Sequence, residues 1–240
     1  MDCKIIAHRG ASALVEFDNS IGSFRKAIEV GADMVEFDIR KTQEGKLVAF
    51  HDTSIKGKKI SRLTYPELLD ISESRGFKVP LVEDVIHVCK GKVGLDIELK
   101  EEGYETEVVD LVKSHLEPDQ FFMKSFSDRT VKTIKGYDPE IQAGLLLGLE
   151  KPENKIRTRL SELFPGGRLK RCRADFVSPN HHLLTLFFLK RMASMDRDVY
   201  VWTVNEVELM KKLFRRGVKG MITDRPDLAV KVRERLDKTK

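Results

Sequence analysis

Cysteine is scarce in this chain and long apolar runs are absent, and the two shortages remove several classes of protein at once. Cys3, Cys89 and Cys172 form an odd set with no Cys-x-x-Cys spacing, so neither a disulfide framework nor a zinc ribbon is indicated. This usage fits a reducing compartment, and a cytoplasmic protein is expected. No run of about 18 apolar residues occurs, and KIIAHRG at the start is preceded by no apolar segment of signal-peptide length. A soluble protein without stable membrane anchoring is expected. There is no Gly-x-Gly-x-x-Gly or Walker A stretch to support a nucleotide-binding open sheet. Charge of one sign is only mildly in excess: 43 Lys and Arg against 38 Asp and Glu, a net +5. Much of that surplus lies in Lys56 to Arg62 and Lys151 to Arg173. Neither stretch carries interleaved aromatics or a recognisable binding module, so both read as solvated faces and no nucleic-acid partner is expected.

What the chain does have is regular alternation. Its 240 residues, 41% of them hydrophobic, are close to the roughly 250 usual for one (β/α) barrel. Eight short β-branched or apolar runs alternate with amphipathic segments: Lys4 to His8, Met34 to Arg40, Val93 to Leu99, Phe121 to Ser125, Ile141 to Leu147, Asp175 to Ser178, Asp198 to Thr203 and Gly220 to Thr223. Helix signals lie between them. Asn19 and Ser20 can cap a helix that runs through Phe24, Ala27 and Ile28 to Gly31. Glu206 to Arg216 carries Val207, Met210, Leu213 and Phe214 on one face and stops at Gly217. Another helix opens at Pro226, a favoured first residue. A doubly wound open sheet shares this alternation. The polar residues at the C-terminal ends of the first three runs favour a barrel, where active sites assemble. The expected fold is an α/β (β/α)8 TIM barrel, one domain over residues 1–240.

In VEFDIR, Glu36 and Asp38 are two apart on a strand and share a face, opposite Val35, Phe37 and Ile39. LDIELK repeats the pattern, with Asp96, Glu98 and Lys100 opposite Leu95, Ile97 and Leu99. Two strands thus aim carboxylates at the barrel interior, and buried like charges are costly without compensation. A hard divalent cation, Mg²⁺ or Ca²⁺ with Mn²⁺ as an alternative, would offset them. So would a structural network with Arg40, Lys100 and Lys124. His8 and Arg9 end the first run before Gly10, which lets backbone come close to a bound group. The turn around Glu44 and Gly45 can double the chain back and bring His51 to the same rim. Histidine suits proton transfer at neutral pH, while Arg9 and Lys100 suit phosphate oxygens.

With these residues in view, the chain resembles the glycerophosphodiester phosphodiesterase family. The likeness rests on AHRGAS at 7–12, DNSIGSFRKAIEVGADMVEFDIRKTQEGKLVAFHD at 18–52, LDIELK at 95–100, KSFS at 124–127, VWTVN at 201–205 and GMITDRPD at 220–227. It implies a barrel that hydrolyses glycerophosphodiesters to sn-glycerol 3-phosphate and an alcohol. By the same likeness Glu36, Asp38 and Glu98 hold the metal, His8 and His51 are the acid/base pair, Arg9 and Lys100 contact phosphate, and Phe126 and Trp202 line the substrate cleft. Hydrolysis of lysophospholipids by the same site is the alternative; a non-catalytic ligand-binding barrel is a more distant one. Two departures stand out. Asp18-Asn19-Ser20 replaces the usual Glu-Asn-Thr, with Glu16 a candidate to compensate for the shorter acid. A short basic stretch after His51 stands where longer relatives carry a cap, which predicts a more open cleft.

Overall fold

The computed structural model describes residues 3–148 and 155–238. Eight parallel strands form its centre: β1 (Lys4–Ala7), β2 (Met34–Lys41), β6 (Gly94–Leu99), β7 (Phe121–Ser125), β8 (Ala143–Leu147), β9 (Phe176–Pro179), β10 (Asp198–Val201) and β11 (Gly220–Thr223). They pair in the order β1-β11-β10-β9-β8-β7-β6-β2, and β1 also pairs with β2, so the sheet closes on itself as a TIM barrel. The eight strands are those the alternation predicts, with ends shifted by one or two residues. The first stops at Ala7, leaving His8 just beyond it, and the seventh stops at Val201.

Strand periodicity divides the core into two. Outward residues, among them Ile5, Val35, Phe37, Ile39, Leu95 and Ile97, pack under the helices. Inward residues Ile6, Met34, Phe122, Phe176, Tyr200 and Ile222 fill the barrel as a separate aromatic-rich plug. Phe122, Phe176 and Tyr200 meet pairwise with ring centroids 4.8–5.0 Å apart. Gly144 makes the room: a Cβ there would sit 2.0 Å from the Phe176 ring. The plug closes the lower barrel and leaves polar inward positions only above it.

The helices are α1 (Ile21–Glu29), α2 (Tyr65–Glu73), α3 (Val82–Cys89), α4 (Glu105–Lys113), α5 (Asp128–Tyr137), α6 (Lys155–Leu163), α7 (Gly166–Cys172), α8 (Leu186–Ser194), α9 (Val207–Arg216) and α10 (Pro226–Asp237). The cap of α1 is Ser20 alone, in a reciprocal box with Ser23. Gly217 ends α9 in the left-handed region and Pro226 opens α10, as expected.

Between β2 and β6 the chain forms more than a short basic stretch. Short strand β3 (Leu47–Ala49) returns antiparallel along β2, followed by the hairpin of β4 (Ser54–Ile55) and β5 (Lys58–Lys59) and then α2. This small unit has its own apolar centre in Val48, Ile55, Ile60, Leu63, Leu68 and Val79. Its exposed basic residues include Lys56, Lys58 and Lys59 on the hairpin and Arg62 just after it.

Gly10 departs from expectation. It has φ +78°, and a Cβ on it would meet not a ligand but Ser23, at 2.4 Å from Oγ and 2.6 Å from the backbone carbon. The glycine lets the loop after β1 lie directly on α1. We expect Gly10→Ala to cost about 1–3 kcal/mol and lower the thermal midpoint; an unchanged midpoint in a melting experiment would contradict this packing.

Candidate active site

Carboxylates converge above the aromatic plug because β2 and β6 pair in register, Glu36 beside Asp96 and Asp38 beside Glu98. All four are buried. One carboxylate oxygen from each of Glu36, Asp38 and Glu98 lies within 4.8 Å of the others. Positive groups reach them from three directions. Lys124, itself buried, lies 2.6 Å from Asp96 and 3.5 Å from Glu36. Lys100 Nζ bridges Asp38 at 2.7 Å and Glu98 at 2.5 Å. Arg9 donates its backbone N–H to Glu36 at 2.9 Å and sets Nε 3.3 Å from Asp38. Of the network that the composition suggested, Lys100 and Lys124 take part; Arg40 turns away to Glu101 and to the His51 carbonyl.

Burial raises Glu98 above the ordinary carboxylate range, with Asp38 and Glu36 adding to it and Lys100 opposing. Burial also works against Asp38, but Lys100 and Arg9 prevail and hold it well below that range. Three hard oxygen donors, one of them inclined to take up a proton in place of a cation, fit Mg²⁺, Ca²⁺ or Mn²⁺.

His8 and His51 line one cavity of about 640 Å³ together with Arg9, Glu36, Glu98, Lys100, Phe126 and Trp202. Every candidate site residue therefore borders this cavity or, in the case of Asp38, lies buried directly against its wall through Lys100 and Arg9. His51 arrives as expected. Gly45, at φ +90°, closes a tight turn in which Thr42 Oγ1 accepts the Lys46 N–H, and β3 then runs back along β2. Arg40 holds the His51 carbonyl, and Asp52 accepts from His51 Nδ1 at 2.9 Å. Phe126 and Trp202 meet edge to face at 5.8 Å, with the indole N–H donated to the Ser178 carbonyl.

Two contributors were missed by sequence reasoning. Asp224, just past β11, accepts from His8 Nδ1 at 2.6 Å and is itself steadied by Ser12 and Asn205. Burial acts to lower the His8 pKa, but the Asp224 hydrogen bond and the Glu36 charge overcome it, and the net shift is upward. Burial also disfavours the Asp224 carboxylate, yet its bonds from His8, Asn205 and Ser12 bring it down to about 2. Asn19 is the second. Rather than capping α1, it adopts φ +47° and donates Nδ2 to Asp38 at 2.8 Å. Asp18 accepts from Arg9 at 3.0 Å, so the shorter acid still reaches the guanidinium without Glu16. The His181 and His182 rings lie tilted at 42° with centroids 3.9 Å apart, outside the cavity lining.

A closed parallel barrel with an acidic, histidine-flanked mouth at the C-terminal ends of its strands is an enzyme architecture. Residues 8–228 match the model of the glycerophosphoryl diester phosphodiesterase family. The chain is 31% identical to the uncharacterized protein YqiK of Bacillus subtilis over 94% of this chain and 96% of that one. It is 25% identical to the glycerophosphodiester phosphodiesterase of Caldanaerobacter subterraneus over 96% and 97%. The crystal structure of a glycerophosphodiester phosphodiesterase from Parabacteroides distasonis superimposes with a TM-score of 0.82 at 28% identity, covering 98% of both chains. The chain belongs to the glycerophosphoryl diester phosphodiesterase family.

Because Glu98 is raised by burial, a cation entering among Glu36, Asp38 and Glu98 should displace a proton. Divalent-cation affinity is expected to weaken as pH falls through the raised Glu98 pKa. Calorimetric titrations in buffers of different ionisation enthalpy should show proton release on binding; buffer-independent heats would refute it.

Proposed function

We propose that the chain hydrolyses glycerophosphodiesters to sn-glycerol 3-phosphate and an alcohol in a reaction that depends on a divalent cation. The observation that carries this reading is the cluster of three carboxylate oxygens, all within 4.8 Å of one another, at the wall of a cavity bordered by two histidines. Bound by Glu36, Asp38 and Glu98, the cation would supply a Lewis acid and template for a phosphate oxygen. Arg9 offers a guanidinium and Lys100 a point charge to the other phosphate oxygens. Phe126 and Trp202, with Leu146 and Ile222, give the cavity an apolar wall for the carbon skeleton of the substrate.

The two histidines divide the proton transfers by their surroundings. Asp224 accepts a hydrogen bond from His8 Nδ1–H, which leaves Nε2 for the cavity, and the same carboxylate favours the protonated ring. His8 is therefore assigned as the acid that protonates the departing alkoxide. His51, more exposed and paired only at Nδ1 with Asp52 among its described contacts, is assigned as the base that takes a proton from the attacking oxygen. The cavity has no long closing element among the described residues, so a range of alcohol groups can extend from it.

His8→Ala and His51→Ala are each expected to lose about 10²–10⁴-fold in turnover while keeping the wild-type fold. The assay is release of glycerol 3-phosphate from a panel that includes glycerophosphocholine and lysophosphatidylcholine, with EDTA and metal add-back; turnover that survives EDTA would overturn the reading.

Asp224→Asn removes the carboxylate that favours imidazolium, so the His8 pKa should fall. An acid is lost above its pKa, and the basic limb of the kcat/KM profile should therefore move to lower pH, with a rate loss of about tenfold or more. A basic limb that stays in place would remove His8 from the acid role.

A further inference from the structure

Helix α6 is turned inside out relative to an ordinary surface helix. Its one carboxylate, Glu162, is 1% exposed, accepting from the Gly148 N–H at 2.8 Å and pairing with Arg159 at 2.5 Å. Its apolar residues face outward: Ile156 is 77% and Leu160 55% exposed, and Leu163 and Phe164 continue the stripe at helical spacing. The stripe extends to a second segment. Phe164 meets Phe187 edge to face at 6.4 Å, and Leu186 and Phe187 at the start of α8 are 59% and 63% exposed. Six of the seven large apolar side chains exposed among the described residues belong to this single face. Scattered exposed leucines are ordinary, whereas a contiguous apolar face implies something that covers it.

The charges around the face say what that is. Arg191 lies over the Phe164 ring at 5.0 Å, Lys190 beside it is exposed, and Arg159 is partly exposed on α6. Across 156–164 and 185–191 the only acidic residue is Glu162, which is buried. Within these two segments the described residues thus present apolar side chains and positive charge with no exposed carboxylate; Asp196 and Asp198 lie farther along the groove that Leu186 and Lys190 border. A second copy would bring those same cations against themselves. An anionic bilayer surface accepts both features, the apolar side chains among its headgroups and the cations against its phosphates.

The position of the face gives it a use. Glu162 is anchored to Gly148 immediately after β8, and a Cβ on Gly148 would lie 3.4 Å from Trp202, which borders the catalytic cavity. The helix that carries the face is therefore anchored beside the mouth, with the face on its outer side. We infer that Ile156, Leu160, Leu163, Phe164, Leu186 and Phe187 form a reversible docking surface for anionic lipid bilayers, which sets the mouth of the barrel at the lipid interface. This differs from an anchor: among the described residues no helix is long and apolar enough to cross a membrane. The docking does not depend on which phosphodiester is cleaved.

The test is co-sedimentation of the full chain with vesicles of equal parts phosphatidylglycerol and phosphatidylcholine, against phosphatidylcholine alone. Wild type should pellet with the anionic vesicles, and less so at high salt. Leu160→Glu combined with Phe187→Glu should lower partitioning about tenfold or more. Because both side chains are exposed, the variant should keep the wild-type melting midpoint and wild-type turnover of glycerophosphocholine in free solution. Failure of the wild type to pellet, or equal pelleting of the variant, would overturn the proposal. A wild-type dimer in light scattering that the double substitution dissolves would assign the face to a second copy, and a pulled-down acidic protein without vesicle binding would assign it to a polypeptide; either also overturns it.

Discussion

Four carboxylates buried on two adjacent strands would repel one another by several kcal/mol without compensation, and the upper half of this barrel is organised around that problem. Lys124 rises from the next strand to stand under Asp96 and Glu36, while Lys100 and Arg9 close over Asp38. The aromatic plug below contributes by excluding water from one side, which strengthens every charge interaction above it. The two lysines differ in what they can give up. Both border the cavity, but Lys124 is almost wholly enclosed between Asp96 and Glu36 and serves the fold, whereas Lys100 is more open over Asp38 and Glu98 and can exchange its carboxylates for another cation.

The strands and most of the acid cluster were legible in the sequence because a period of two is a local property. Glu36 and Asp38 must share a face whatever surrounds them, and in-register pairing then brings Glu98 beside Asp38. His51 was legible through Gly45, since a positive φ at that position needs glycine and reverses the chain. Residues whose roles depend on distant partners were not. Asp224 meets His8 across 216 positions, and nothing near it marks which of many aspartates does so. Asn19 looked like a helix cap because asparagine is one of the preferred caps. Only its left-handed backbone, one residue before the true cap, turns it inward to Asp38. The family likeness supplied the candidate site residues; the geometry supplied their partners.

The exposed stripe on α6 illustrates a further limit of pattern reading. Periodicity assigns an apolar face to the helix but not the direction in which it points. Here Glu162 sets the direction, because it turns inward to accept from the buried Gly148 N–H just past β8. One polar contact at the barrel rim rotates the whole helix.

The return strand β3 gives the two histidines different mechanical standing. His8 follows directly from a barrel strand, so its position is as fixed as the wall itself. His51 sits at the end of a short antiparallel excursion, tied back by the Phe50 N–H to the Asp38 carbonyl and by Arg40 to its own carbonyl. The gap between the two imidazoles is thus a gauge with one fixed jaw and one adjustable jaw. Changes in the five-residue turn from Thr42 to Lys46 or in the small unit behind it could widen or narrow that gap while every strand of the barrel stays in place.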